Sequence, residues 1–115
     1  MTRPVVAFQI RGRDARKLAE FYKTLFGWKM NTDNPMGVVS IEAGEGGPLP
    51  GPGGFILPGE PMTILFVQVA SLVDSMTKAV ELGGKRVMEP FDVPNGPTVA
   101  QIEDPEGNVV GLVQQ

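Results

Sequence analysis

Few side chains in this sequence are equipped for chemistry, and their kinds narrow what that chemistry can be. Gln9 and Arg11 stand two apart in VVAFQIRG, and Gln68 sits in MTILFVQV. An amide can both donate and accept, and a guanidinium can grip a carboxylate through two parallel bonds. Glu42 and Glu103 are weak catalytic candidates: a buried carboxyl has a raised pKa and can serve as general acid or base. Both fall near strand ends, where a solvated Glu is the plain alternative. The chain has no His and no Cys. It therefore lacks the usual general base near neutral pH, a thiolate nucleophile, and the common ligands of transition metals. Ser40 and Ser71 have no imidazole to activate them. Arg11, Arg13, Arg16 and Lys17 form the one basic group in a chain of net charge −3. Such a group reads as a solvated face, and a nucleic-acid partner is disfavoured because phosphate binding needs a basic surface.

These residues must be positioned by the elements around them. Val5 to Ile10 reads as a strand. Asp14 can cap a following helix, Gly27 can end it in a left-handed conformation, and Ala15, Leu18, Ala19, Tyr22, Leu25 and Phe26 form its apolar stripe. Tyr22 and Trp28 are expected in the core. Asn31 to Met36 is turn-rich, and Gly37 to Ala43 has the β-branched content of a strand. Gly44 to Gly54 is a Gly/Pro loop, readable as a lid or binding loop or as a flexible connection. It is no phosphate cradle, since neither Lys-Ser/Thr nor a helix follows. Phe55 to Leu57 is a short strand. Met62 to Val69 is the strongest strand signal. Ser71, with Asp74 three residues on, opens a second helix whose stripe is Leu72, Met76, Ala79 and Val80, and Gly83-Gly84 closes it. Lys85 to Met88 and Thr98 to Glu103 are strands separated by a loop over Glu89 to Pro97. Asp104-Pro105-Glu106-Gly107 fits a type I turn, and Asn108 to Val113 is the closing strand.

A shift of 57 residues lays Phe8–Gly27 on Leu65–Gly84, placing Ile10 on Val67, Asp14 on Ser71, Ala15 on Leu72, Leu25 on Leu82 and Gly27 on Gly84. Two strand–helix–Gly units half a chain apart indicate a duplicated module. Each half reads β-α-β-β-β, and the short connections of the later strands favour antiparallel pairing, so an α+β class is expected. The expectation is a single domain over residues 1–115, with module 1 over about 1–58 and module 2 over about 59–115. The opening Met1-Thr2-Arg3-Pro4 lacks the apolar run of a signal peptide, and no stretch approaches a membrane span. A cytoplasmic protein without a membrane partner is expected.

Three stretches carry a family resemblance: FQIRGRDARKLAEFYKTLFGW at 8–28, FVQVASLVDSMTKAVELGGKRV at 66–87, and DPEGNVVGLVQ at 104–114. Through them the chain resembles the vicinal oxygen chelate superfamily, which includes glyoxalase I, bleomycin-resistance proteins and extradiol dioxygenases. The resemblance implies two βαβββ modules forming curved mixed sheets around a cavity, and a homodimer. It also locates where metal-using members keep their ligands. The counterparts here are Ala7, Ile64 and Gly111, and the fourth, late in the first module, has no carboxylate within Gly53 to Leu57. The resemblance thus implies a member with no metal and no cofactor. Strand alternation puts Ala7, Gln9 and Arg11 on one face and Ile64, Phe66 and Gln68 on another, with Phe8 and Ile10 under the helix. On the superfamily plan those faces, with Val109, Gly111 and Val113, line the cavity, and the expected ligand-binding residues are Gln9, Arg11, Phe66, Gln68 and Gly111. Arg11 resembles a glyoxalase I arginine that contacts the glutathione carboxylate; the alternative is that it reaches solvent. The expected function is binding of a small organic molecule. The alternatives are a lyase- or isomerase-type enzyme of the same superfamily with a non-standard site, and a dimerising accessory module.

Overall fold

The structure is a computed structural model that describes residues 2–33, 37–44, 46–47, 49–94 and 96–114. Asn34 to Met36 of the turn-rich connection, and Glu45 and Pro48 of the Gly/Pro loop, lie outside the described residues. The chain divides into two compact units, Ala7–Thr63 and Met1–Val6 with Ile64–Gln115. The division falls a few residues past the expected one for local reasons. The Gly59 N–H donates to the Gly12 carbonyl at 3.0 Å, and Arg13 pairs with Glu60 at 2.8 Å, so residues 59–60 belong with the first module. The Pro4 carbonyl accepts from the Gln68 N–H at 2.9 Å, which ties the N-terminal residues to the second.

The first module contains most of β1 (Val5–Gly12), then α1 (Ala15–Phe26), β2 (Met30–Asn31), β3 (Val39–Ile41) and β4 (Gly53–Pro58). β1 pairs with β4 in parallel, β4 with β3 antiparallel, and β3 with β2 antiparallel. The Asp14 carboxylate accepts from the Lys17 N–H, and Gly27 takes φ 72°, so the helix starts and stops at the expected caps. The core joins Ala15 and Ala19 of α1 to Val39, Ile41 and Ile56, with Phe8, Ile10, Leu18, Tyr22, Trp28 and Met30 packed against it. Tyr22 stacks on Trp28 with ring centroids 5.2 Å apart, and Trp28 leans on Phe8 at 5.5 Å.

Two expectations for this module are corrected. Leu25 and Phe26 do not complete the buried stripe; they are 58% and 57% exposed, because the narrow contact of α1 is made by its alanines. Gly53 and Gly54 are not loop but strand, opposite Ala7 and Phe8. A Cβ there would approach the Ile41 carbonyl oxygen to 2.7 Å and the Phe8 carbonyl oxygen to 2.6 Å, so glycine lets the three strands close up.

The second module repeats the plan: β5 (Met62–Val69), α2 (Leu72–Glu81), β6 (Lys85–Asp92), β7 (Thr98–Glu103) and β8 (Val109–Gln114). β5 runs parallel to β8, which pairs antiparallel with β7, which pairs antiparallel with β6. The Ser71 hydroxyl accepts from the Asp74 N–H at 3.2 Å, forming the expected cap. Leu72 and Met76 of α2 pack on Val69, Ala100 and Leu112. Val80, assigned to the stripe, is 48% exposed. β6 continues through Glu89–Asp92, expected as loop, because register shifts between Arg86 and Met88 and between Met88 and Phe91 accommodate Pro90. Among the described residues no helix is long and apolar enough to cross a membrane.

Candidate functional site

Each module covers one sheet face with its helix and leaves the other for whatever else the protein does. In the first module Phe8, Ile10 and Ile56 pack toward α1. Period-two alternation therefore turns Ala7, Gln9 and Arg11 to the opposite face, as the sequence predicts. There Gln9 stands opposite Phe55, and Phe55 opposite Ser40, a single row across three strands. The Gln9 Oε1 is buried and accepts no hydrogen bond among the described residues. Phe55, next to it, is 41% exposed. Arg11 is half-buried opposite Leu57, its stem lying over Gly59, where a Cβ would come within 3.1 Å of the Arg11 Cδ.

In the second module Val67, Val69, Ala100, Ile102 and Leu112 face α2, leaving Ile64, Phe66 and Gln68 on the other side. The row equivalent to Gln9–Phe55–Ser40 is Phe66–Gly111–Gln101. This row is filled from within. Phe66 and Gln101 are each 7% exposed and Ile64 is fully buried. The Phe66 ring lies so closely over Gly111 that a Cβ there would sit 2.5 Å from its Cδ1 and Cε1. Gln68 is half-buried opposite Val113.

The strand register also identifies the fourth superfamily ligand position. Gly111 opposes Phe66; the 57-residue shift carries Phe66 to Gln9, and Gln9 opposes Phe55. The four positions are therefore Ala7, Phe55, Ile64 and Gly111: a methyl, a ring, a branched alkyl and a hydrogen. None has a lone pair to offer. No group of three or more His, Cys, Asp or Glu able to hold a metal ion occurs among the described residues. The residues present do not fit the superfamily's metal centre.

The carboxylate candidates lie elsewhere. Glu42 is exposed just past β3. Glu103 is half-buried and lines an open groove of about 590 Å³ in the second module, with Asp74, Lys78, Leu82, Ile102 and Pro105 around it. This groove borders α2 and is separate from the row that contains Phe66 and Gly111. Beside it the Asp104 carboxylate is held below its ordinary pKa, chiefly by the hydrogen bonds it accepts from the Asn108 side chain and backbone. Its Oδ1 takes the Glu106 and Asn108 N–H groups and its Oδ2 the Asn108 amide, which rigidifies the hairpin turn. Sequence reasoning missed Phe55 and Gln101 as members of the two rows. The alternation in TVAQIE and the Gly of NVVGLV were the available signals, but which strands lie side by side was not.

The model of the family described as "Glyoxalase-like domain" matches residues 6–113. The chain belongs to this family. Solved structures agree on the fold of this glyoxalase-like domain. A hypothetical protein from Bacillus halodurans superposes with TM-score 0.70 at 17% identity, covering 100% of this chain and 96% of that one. A glyoxalase/bleomycin resistance protein/dioxygenase superfamily member from Vibrio splendidus gives 0.67 at 13%, covering 99% and 100%. A Streptomyces coelicolor methylmalonyl-CoA epimerase in complex with 2-nitronate-propionyl-CoA gives 0.64 at 15%, covering 100% and 98%. No curated protein matches the sequence.

Proposed function

We propose that this glyoxalase-like domain is a metal-free binder of a small organic molecule, working as a cytoplasmic homodimer. The observation that carries the reading is the open face of the first module, where Phe55 is 41% exposed beside Gln9 and Arg11. Ala7 and Leu57 extend the apolar surface of that face, and Arg11 adds a charged group that can orient an acidic ligand. Gln68 offers an amide on the equivalent face of the second module. The missing donor atoms at Ala7, Phe55, Ile64 and Gly111 support the metal-free part of the reading. Dimerisation is supported by β6, an edge strand of eight residues with Val87 47% and Phe91 53% exposed, which a second copy can cover.

Native mass spectrometry of the undenatured protein tests all three elements together. The expected result is a dimer without metal and with an organic adduct. One divalent ion per chain sinks the metal-free reading, and a bare monomer at micromolar concentration sinks the dimer. An enzymatic reading is favoured by one feature, the position of Glu103 in the groove beside α2. If turnover is found, Glu103→Gln abolishes it while Glu42→Gln, altering an exposed carboxylate, leaves it intact.

A further inference from the structure

The 57-residue repeat aligns the helices of the two modules, and their equivalent faces differ in shape and in charge. On α1 the face is full. Tyr22 stacks on Trp28, and Phe21 stands edge-on to Tyr22 with ring centroids 5.2 Å apart. Phe21 and Leu25, one turn apart, are each 58% exposed. In the second module the repeat puts Ala79 where Tyr22 stands and Lys85 where Trp28 stands. The rings that fill the first module have no counterpart there, and the open groove of about 590 Å³ lies beside α2, lined by Ala79, Leu82, Ile102 and Pro105. The charges also reverse. α1 exposes Arg16, Lys17 and Lys23 against the single carboxylate of Glu20, whereas the groove carries Asp74, Glu103 and Asp104 against the single Lys78. None of these charged groups forms an ion pair among the described residues.

We infer that a second copy of this chain docks in the groove beside α2, through the Phe21–Leu25 ridge of its α1. The inference rests on the homodimer proposed above and names a contact for it other than the β6 edge. Exposed apolar residues rimmed by charge mark interaction surfaces, and aromatic anchors seated in pockets contribute most to such contacts. A benzyl group with a neighbouring isobutyl group suits a hollow of this volume, and removing both from water supplies the drive. The cations of α1 meet a groove in which carboxylates predominate, so charge selects the same pairing that shape does. The ridge and the groove are different surfaces of one chain. A closed twofold dimer therefore makes the contact twice, each copy giving its α1 and receiving its partner's. The equivalent face of the first module cannot receive a ridge in this way, because Tyr22 and Trp28 already occupy it.

Sedimentation equilibrium of the intact chain at micromolar concentration tests the contact through two charge-reversed variants. One carries Lys17→Glu with Lys23→Glu, the other Asp74→Lys with Glu103→Lys. Each alone should dimerise at least tenfold more weakly than the parent, because like charges then meet in both contacts. Mixed in equal amounts they should recover a dimer, since both contacts then pair opposite charges. Phe21→Ala, a truncation at an exposed position that leaves the fold intact, should also weaken the dimer at least tenfold. Parent-like association in Phe21→Ala would overturn the inference. So would a mixture that stays monomeric while each variant is folded by circular dichroism. A dimer that these variants leave intact and that Phe91→Glu on β6 disperses keeps the homodimer and removes this contact. A monomeric parent chain removes both.

Discussion

Replacing Gln9 by Leu should make the unliganded protein more stable, against the usual direction for a core-facing substitution. A buried amide oxygen without a partner costs about 1 to 3 kcal/mol of desolvation that no hydrogen bond returns. Leu is close to Gln in volume and carries no polar atom, so the substitution removes that cost without opening a cavity. Its surroundings suit an alkyl group: Ala7 and Arg11 are its face neighbours on β1, and Phe55 lies opposite. The expected gain is about 1 to 2 kcal/mol, which for a domain of this size raises the melting temperature by roughly 4 °C or more. Urea unfolding reads it directly, with the midpoint rising and the slope unchanged, since the surface exposed on unfolding stays the same. Ligand binding should fall in the same variant, the trade between stability and function seen where a strained or unsatisfied group serves a site. A loss of more than about 1 kcal/mol in Gln9→Leu would refute the reasoning. It would mean that the oxygen is already satisfied in the free protein, and that the face is structural.

Other substitutions probe the remaining features. Gly111→Ala puts a methyl 2.5 Å from the Phe66 ring, so it should destabilise by about 1 to 3 kcal/mol through overpacking; Phe66→Leu in the same chain should recover part of that, a coupling that a double-mutant cycle measures. Asp104 has a lowered pKa in the folded state, so its contribution is present above the unfolded value of 3.8 and disappears as pH falls through the folded value. Urea midpoints measured from pH 5 down to pH 2 should therefore drop more steeply in the parent than in Asp104→Asn. Ser71→Ala removes the α2 cap and should cost about 1 kcal/mol by the same assay. Met76→Ala, at a fully buried position, should cost about 2 to 5 kcal/mol, whereas Leu25→Ala, exposed on α1, should stay within about 0.5 kcal/mol.

Caps, turns and alternation were legible in the sequence because each is a local signal. Asp14, Gly27, Ser71 and the Asp104–Gly107 turn do what their types require, and the 57-residue repeat announced the duplicated βαβββ plan. What stayed hidden depends on pairing between distant segments. β2 is only Met30–Asn31, a strand by virtue of lying opposite Ile41 and Ser40. Gly53-Gly54 looks like loop until β1 and β3 crowd it from both sides. Spacing alone makes the helical stripes too wide, because it does not say how much of a helix a small sheet can cover; Leu25 and Val80 lie outside. For the site, alternation gave the faces of Gln9, Arg11, Phe66 and Gln68, but not that one amide oxygen is left unmade.

The same pairing explains how the two modules fill the positions where the superfamily resemblance places metal ligands. Ligands at Ala7, Phe55, Ile64 and Gly111 would need side chains reaching from adjacent parallel strands, β1 with β4 and β5 with β8. Where no donors stand, the space must be filled by other side chains, since packed interiors do not tolerate voids. The second module fills it with Phe66, which requires glycine at 111 and excludes any carboxylate there on steric grounds alone. Restoring a donor at Gly111 would thus clash before it could coordinate. The first module places its ring one strand away and keeps an amide in the row, a solution that leaves an acceptor buried and an aromatic surface open. Closing both rows with apolar side chains would be the more stable arrangement, and the Gln9→Leu unfolding measurement decides whether that is so.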